Sequence, residues 1–369
     1  MRRLRLSLVG FGTVGRWLAE AIQSHRSWLE TECGVAVIVV GVANRRHGFI
    51  YRDAGLDITT LQEFAAAGRP LGDYPGVRRW ETALEGLAQT ESDVMAEASG
   101  TNPREPEPAL SHIRQTLERG THVITSSKGA CAAAALELLA LARRRGVQCR
   151  MESSVMSGTP VLSAIREGLA GTRVLAVRGI LNGTANHILT LMAQGLEYPA
   201  ALADSQARGY AEPDPTDDVE GHDVVAKVRI LAATAFGRAV ALDQVFRRGI
   251  NEITREAMQQ AAREGCRIKL VATMRPRPGL ASLPMEARVE PLALPLTDPL
   301  SRVDGVMNAL TLETDTVREV TIIGPGAGPE QAGQGMFADL VAVARLPLGG
   351  GAEPPNEARR RTRDDRGGY

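Results

Sequence analysis

The chain has 369 residues, too many for one ordinary domain, and with 44% of them hydrophobic it can bury more than one core. Its 43 basic and 43 acidic residues cancel and aromatics make up only 4%. A neutral chain with few stacking residues lacks any general pull on nucleic acid or an anionic membrane, so a small molecule is the expected partner.

Arg2, Arg3 and Arg5 precede an apolar run, and Ala19-Glu20-Ala21 imitates a leader-cleavage site. Arg16 and three glycines interrupt that run, so a strand and a helix are expected there instead of a signal peptide. No uninterrupted apolar stretch is long enough for a membrane span. The predicted elements begin with strand Leu4–Val9 and a helix from Thr13 to about Trp28. Val35–Ala43 (VAVIVVGVA) is a β-branched run suited to a central parallel strand covered on both faces. Next come strand Asp93–Ala98, a helix around Pro106–Arg119, strand Thr121–Thr125, helix Ala130–Arg145 and strand Val147–Met151. Strands alternating with helices of this length predict βαβ units and an α/β fold, a Rossmann-type doubly wound parallel sheet.

The character then changes. Pro160–Leu169, Thr184–Gln194 and Glu220–Phe236 are predicted as helices, with strand Arg173–Leu181 among them. Four strands follow at Cys266–Met274, Met285–Pro291, Gly305–Glu313 and Val317–Ile323, giving a second, α+β domain. A last helix, Gln331–Ala344, follows GPGAG (Gly324–Gly328) and is expected to pack back on the first domain. The organisation expected is thus a dinucleotide-binding domain at 1–155, completed by about 324–346, and a substrate-binding and dimerisation domain at 156–323. The remainder, 347–369, is Gly, Pro and charge, the composition of a disordered tail. Cys33, Cys131, Cys149 and Cys266 form no CxxC pair or Cys/His cluster. That argues against zinc and disulfides and for a reducing cytoplasm.

Chemistry first appears in LSLVGFGTVG. Gly10-x-Gly12-x-x-Gly15 directly follows a strand and opens a helix, the context that a dinucleotide site needs. Gly10 permits the tight turn, Gly12 lets the pyrophosphate approach the backbone, and Gly15 lets helix and strand pack closely. The helix N-terminus supplies positive potential to the phosphates. At the end of the second strand, where an NAD site usually carries an acid, the chain reads Ala43-Asn44-Arg45-Arg46-His47. Arginine there suits a 2′-phosphate, so NADP is expected, with NAD as the alternative.

Three later stretches carry chemistry-bearing residues. Lys128, in ITSSKG, follows a strand whose carboxyl end faces the ligand crevice, although a lone lysine there also reads as an ordinary surface residue. GILNGTANH (Gly179–His187) can present polar groups to a ligand, or simply cap a helix through Asn182 or Thr184. In ARGYAEPDPTDDVEGHDVVAK (Ala207–Lys227), six acids precede one lysine, and Asp223 and Lys227 share a helix face at i,i+4. The pair is a surface ion pair or part of an ammonium-binding site with a catalytic lysine.

At these residues the chain resembles the homoserine dehydrogenase family, from Leu6 to about Ala344. GFGTVG, HVITSSKG, MESSVMSGTPVL, GILNGTANHILT, ARGYAEPDPTDDVEGHDVVAK and GPGAG fall in the family's order and spacing. The resemblance implies NAD(P)-dependent interconversion of aspartate semialdehyde and homoserine in threonine and methionine biosynthesis, by a homodimer formed through the second domain. It implies Lys227 as catalytic acid/base and Lys128 as a second lysine near the reacting centre. Glu212, Asp223, Asp218 and Thr184 would bind the amino acid. Gly10, Phe11, Gly12, Thr13, Val14, Gly15, Asn44, Arg45, Arg46, Thr101, Lys128, Gly209 and Gly326 would line the cofactor. A sodium or similar ion would sit among the backbone carbonyls of Glu152, Val155, Ser157 and Thr159. The chain departs from the family in having Ser127-Lys128 where many members have Asn-Lys, and Val155-Met156-Ser157-Gly158 where many have VGGG. It shows neither an aspartate kinase domain nor a folded regulatory domain after the last helix.

The residues fit two rival readings less well. A phosphorylating aspartate-semialdehyde dehydrogenase needs a thiolate nucleophile beside a base, and no cysteine here lies in such a motif. An inactive cofactor-binding regulator would keep the glycines and lose Glu212, Asp223 and Lys227, which this chain retains.

Overall fold

The computed structural model describes residues 1–100, 102, 104–276 and 285–347. The expected tail, apart from Pro347, lies outside the described residues, as does Thr101. The first domain is built on strands β1 (Arg2–Val9), β2 (Val35–Asn44), β3 (Gly48–Tyr51), β4 (Arg78–Trp80), β5 (Val94–Glu97), β6 (His122–Thr125) and β7 (Cys149–Arg150). Between them run α1 (Thr13–Ser24), α2 (Arg26–Glu32), α3 (Ile58–Ala66), α4 (Ala83–Gln89), α5 (Ala109–Glu118) and α6 (Lys128–Arg145). The sheet order is β4-β3-β2-β1-β5-β6-β7.

The five strands from β2 to β7 are parallel, as the β-branched runs predict, whereas β3 and β4 add antiparallel at one edge. Sequence reasoning passed over that edge because β3 and β4 are only four and three residues long. The long first helix divides at His25 into α1 and α2. Both sheet faces are covered, as a parallel sheet requires. Val9 and Val40 belong to one core, while Leu6, Leu8 and Val39 belong to another.

A short helical stretch, α7 (Val161–Ser163), leads into the second domain. Its sheet contains β8 (Val174–Ile180), β9 (Val245–Arg247), β10 (Cys266–Pro276), β11 (Met285–Pro295), β12 (Met307–Thr314) and β13 (Glu319–Pro325), in the order β13-β12-β8-β10-β11-β9. Helices α8 (Gly183–Ala193), α9 (Tyr198–Ala207), α10 (Thr216–Val219), α11 (His222–Phe236) and α12 (Arg255–Arg263) accompany it.

Two features position the site. Helix α11 is buried along most of its length and packs on α6, so it joins the two domains at their boundary. The last helix, α13 (Pro329–Ala344), packs against α1. Its Met336, Phe337 and Leu340 join the core of Leu6 and Leu18, and Asp339 accepts the Glu152 N–H at 2.8 Å.

Candidate active site

At the mouth of β1 the three glycines divide their work. Gly10 takes φ +100°, and a Cβ there would lie 2.3 Å from the carbonyl carbon of Ala98. A Cβ on Gly15 would lie 2.0 Å from the Gly10 oxygen, so helix and strand meet backbone to backbone. A Cβ on Gly12 would touch nothing within 4 Å, which leaves that face open to a ligand. Gly12 caps α1 without a side-chain bond, so the first-turn N–H groups remain to face an anion. Phe11 is buried, Thr13 exposed and Val14 half-buried.

Beside this turn lies a cavity of about 300 Å³ lined by Phe11, Gly12, Thr13, Arg16, Asn44, Arg46, His47, Ala65, Gly68, Arg69 and Leu71. The Asn44 carboxamide oxygen accepts the N–H groups of Arg46 at 3.0 Å and His47 at 2.7 Å, fixing the turn after β2. Both Arg45 and Arg46 are exposed, but Arg46 lines the cavity and Arg45 does not. Arg16 and Arg69 join it from α1 and from the loop after α3. Sequence spacing could not reveal them, because folding alone brings residues 16, 46 and 69 together.

The second half of the site lies where β8 ends against α11. Lys227 is 3% exposed, and its Nζ sits 2.8 Å from Asp223 Oδ2 and donates to the Leu181 carbonyl. From the first domain, Lys128 reaches across to Asp223 Oδ1 at 3.0 Å. The i,i+4 pair is therefore buried and shared with a third residue, not a surface ion pair. Burial alone would raise the Asp223 carboxyl; the two lysines outweigh it and hold the group well below the usual carboxylate range. The same carboxylate raises Lys128. For Lys227 burial dominates and pulls the ammonium below its ordinary value, with Asp223 opposing.

Asn182 organises the acids. Its Nδ2 donates to Asp218 Oδ1 at 2.6 Å and to Asp223 Oδ2 at 3.0 Å, while its Oδ1 accepts the Ala185 N–H at 2.8 Å and caps α8. Asp218 is raised, first by burial and also by the charge of Asp223. Sequence reasoning identified the cap but not the bridge, since nothing in the sequence says where the other end of the amide points.

Thr184 Oγ1 donates to the Tyr210 carbonyl at 2.6 Å. Gly209 takes φ +74° in the same loop. Glu212 is exposed and its side chain makes no hydrogen bond among the described residues, so it stands apart from the Asp223 cluster. Gly326 packs so closely that a Cβ would lie 2.0 Å from the Asn308 amide nitrogen, and its carbonyl accepts from Ser157 Oγ at 3.2 Å.

In the predicted ion loop, the Glu152 carboxylate accepts the N–H groups of Leu162 at 2.8 Å and Ser163 at 2.7 Å, leaving only its backbone to face an ion. Val155 is buried, and Thr159 Oγ1 donates to the Pro325 carbonyl at 3.0 Å. Met156 and Ser157 take φ of 55° and 53°. All four cysteines are free, and no described helix is long and apolar enough to cross a membrane.

A glycine turn opening a doubly wound sheet, with a buried lysine–carboxylate cluster across the crevice, defines a nicotinamide-dependent oxidoreductase. Comparison with known proteins narrows the class. Residues 10–152 match the family model for the homoserine dehydrogenase NAD-binding domain, and 160–341 match the model for homoserine dehydrogenase. The chain is 38% identical to an NAD(+)-dependent homoserine dehydrogenase of Pseudomonas canavaninivorans over 93% of its length and 97% of the relative's. It is 34% identical to a homoserine dehydrogenase of Methanocaldococcus jannaschii, covering 91% of this chain and 97% of that one. A solved hyperthermophilic archaeal homoserine dehydrogenase in complex with NADPH superposes with a TM-score of 0.78 at 27% identity, covering 94% of this chain and 99% of the other. The chain belongs to the homoserine dehydrogenase family, and it is an NAD(P)-dependent oxidoreductase.

Proposed function

We propose that Lys227 is the general acid/base that interconverts aspartate semialdehyde and homoserine in this chain. The supporting observation is Asp223 held between two lysines of unequal burial. A bound nicotinamide would supply or accept the hydride at the substrate carbon. As the aldehyde is reduced its oxygen gains charge, and Lys227 donates a proton to it; in the oxidative direction Lys227 takes the hydroxyl proton back. Lys128, kept charged by Asp223, stabilises the developing negative charge. Asp223 and Asp218 bind the substrate ammonium, with Thr184 beside them and Glu212 as the exposed acid on the facing loop. A spectrophotometric assay at 340 nm with homoserine and each oxidised cofactor tests the reading, and absence of turnover with both defeats it.

The cofactor reading is NADP in preference to NAD. Its support is the cavity beside Gly12, where Arg16, Arg46, Arg69 and His47 meet and no lining residue is acidic. A 2′-phosphate would find guanidinium donors there, and a bare ribose no carboxylate. Of the two arginines that the sequence offers, Arg46 lines this cavity and Arg45 does not, so the phosphate contact is proposed for Arg46.

A monovalent cation would be held by the backbone carbonyls of Glu152, Val155, Ser157 and Thr159, where two consecutive left-handed residues turn the chain. It would brace the junction between the domains, and no step of the chemistry passes through it. The partner is a second copy of the chain, joined through the second domain. Ile323 on the edge strand β13, 52% exposed, is an apolar side chain that such a contact would cover. Free cysteines and the biosynthetic reaction favour the cytoplasm as its compartment.

A further inference from the structure

One fully buried acid has no part in the chemistry described above. Glu97 is the last residue of β5 and is 0% exposed. Burying a carboxylate is costly unless hydrogen bonds replace its water, and here the bonds run to α5 and to the segments that leave β5 and β6. Oε2 lies 2.8 Å from His112 Nδ1 on α5. Oε1 accepts the Ser99 N–H at 2.8 Å and also the Ser99 hydroxyl. The backbone carbonyl of Glu97 accepts the Ser126 N–H and the Thr125 hydroxyl, both at 3.1 Å. One residue thus ties the chain leaving β5 to the chain leaving β6, at the carboxyl ends where open α/β sheets bind ligands.

Both tethered segments border the predicted site. Ala98 N donates to Val9 O at 2.7 Å, which draws the loop onto the end of β1. The same backbone fills the space where Gly10 would carry a side chain, with Ala98 C at 2.3 Å and Ser99 N at 2.5 Å from that position. The other segment leads directly to Lys128. A purely structural role fits poorly. An apolar pair would close the sheet with less desolvation, and Ser99, which donates two of the bonds, is exposed and adds little to the core.

We propose that Glu97, braced by His112, is a positioning residue for the dinucleotide: it fixes Ala98–Ser99 against the glycine turn so that the cofactor meets a preformed crevice. This inference rests on dinucleotide binding and not on the role of Lys227.

The test uses the full chain with Glu97→Ala, Glu97→Gln and Ser99→Ala. NADPH and NADH are titrated by fluorescence, and homoserine kinetics and melting temperatures are measured beside them. Glu97→Ala is expected to weaken both reduced cofactors by about 10- to 100-fold, the scale of a lost charge-assisted bond, with kcat at saturating cofactor within about threefold of wild type. Glutamine keeps an oxygen for Ser99 and a polar group within reach of His112 Nδ1, so Glu97→Gln should restore affinity to within about threefold. Ser99→Ala, at an exposed position, should weaken binding severalfold. Unchanged cofactor affinity in Glu97→Ala, whatever its melting temperature, overturns the proposal, as does a Gln variant as weak as Ala. If Glu97→Ala does not fold, Ser99→Ala decides, and unchanged affinity there overturns it equally. The arginine-lined cavity predicts a changed NADP-to-NAD ratio, whereas loss of Glu97 weakens both cofactors alike, so the two readings fail separately.

Discussion

Replacing Lys227 with methionine keeps the apolar stem of the side chain and removes only the ammonium. In the structure that ammonium lies 2.8 Å from Asp223 Oδ2 and donates to the Leu181 carbonyl. Breaking a buried ion pair usually costs about 3–5 kcal/mol, because one charge is stranded. Here Asp223 keeps Lys128 at 3.0 Å and the Asn182 amide at 3.0 Å, so it is not stranded. The remaining cost is chiefly a carbonyl without its donor, about 1–2 kcal/mol. Activity should suffer far more: kcat should fall by roughly 10²–10⁴-fold, the scale of a lost general acid. With Lys227 as the proposed base, homoserine oxidation needs it unprotonated, so the wild-type rate should rise with pH through the lowered pKa of that lysine, and the variant should lose the rise. The assay is absorbance at 340 nm across pH, with cofactor affinity and melting temperature measured on the same protein. A variant within tenfold of wild-type kcat, or one that keeps the alkaline rise, would refute the assignment.

Arg46→Ala should lower the NADP-to-NAD ratio of kcat/KM by about 10- to 100-fold while Arg45→Ala leaves it unchanged, and a wild type that already prefers NAD would sink the idea. Asn182→Asp keeps an oxygen to cap α8 but turns a third carboxylate towards Asp218 and Asp223. Its kcat should therefore drop at neutral pH and partly recover as pH falls and the added acid is protonated; a profile parallel to wild type counts against the bridging role. Asp339, 2% exposed, is pushed up to about 7 from 3.8, mainly by burial. Between those values the folded form carries a proton that the unfolded form lacks, so this group's contribution to stability falls as pH rises from about 4 to about 7. Asp339→Asn can still accept the Glu152 N–H and should be more stable than wild type at pH 8 by up to about 4 kcal/mol, with no gain at pH 4. Melting curves differing by the same amount at both pH values would contradict that account.

The parallel core of the first domain was legible because its strands are long and apolar, and its glycine turn announces itself between strand and helix. The edge strands β3 and β4 were not, since three or four residues carry too little periodicity to distinguish from loop. Helices α9 and α12 were passed over for a different reason: α9 is flanked by the turn-like Gly195 and Gly209, and α12 is largely polar with only Met258 and Ala261 buried. At the site, the acids and lysines could be named one by one, and the i,i+4 rule paired Asp223 with Lys227. What the sequence could not express is that Lys128, nearly a hundred residues earlier, completes the cluster from another domain. The choice between Arg45 and Arg46 was likewise beyond it, because neighbouring residues of a turn point in different directions and only the folded turn selects one.

That shared carboxylate also gives a physical basis for the proposed division of labour between the lysines. Lys128 and Lys227 contact opposite oxygens of Asp223 at nearly equal distances, 3.0 and 2.8 Å, so attraction to the acid cannot set them apart. Their surroundings can. The side chain of Lys128 remains 29% exposed, whereas that of Lys227 is 4% exposed and has little besides Asp223 and the Leu181 carbonyl. Desolvation therefore outweighs the ion pair for Lys227 and loses to it for Lys128, giving shifts in opposite directions from one counterion. Two like groups pushed apart in this way suit the proposed roles, in which one stays charged to stabilise the oxygen and the other exchanges its proton. The arrangement also explains why both must be near one acid. Without Asp223, two ammoniums would face each other at the domain boundary, and each would favour losing its proton or separating the domains. Asp223→Ala should accordingly cost more stability than Lys227→Met, about 3–5 kcal/mol against 1–2, although the side chain removed is the smaller one. The reverse order in melting temperature would mean that the cluster is held together by packing and not by its charge.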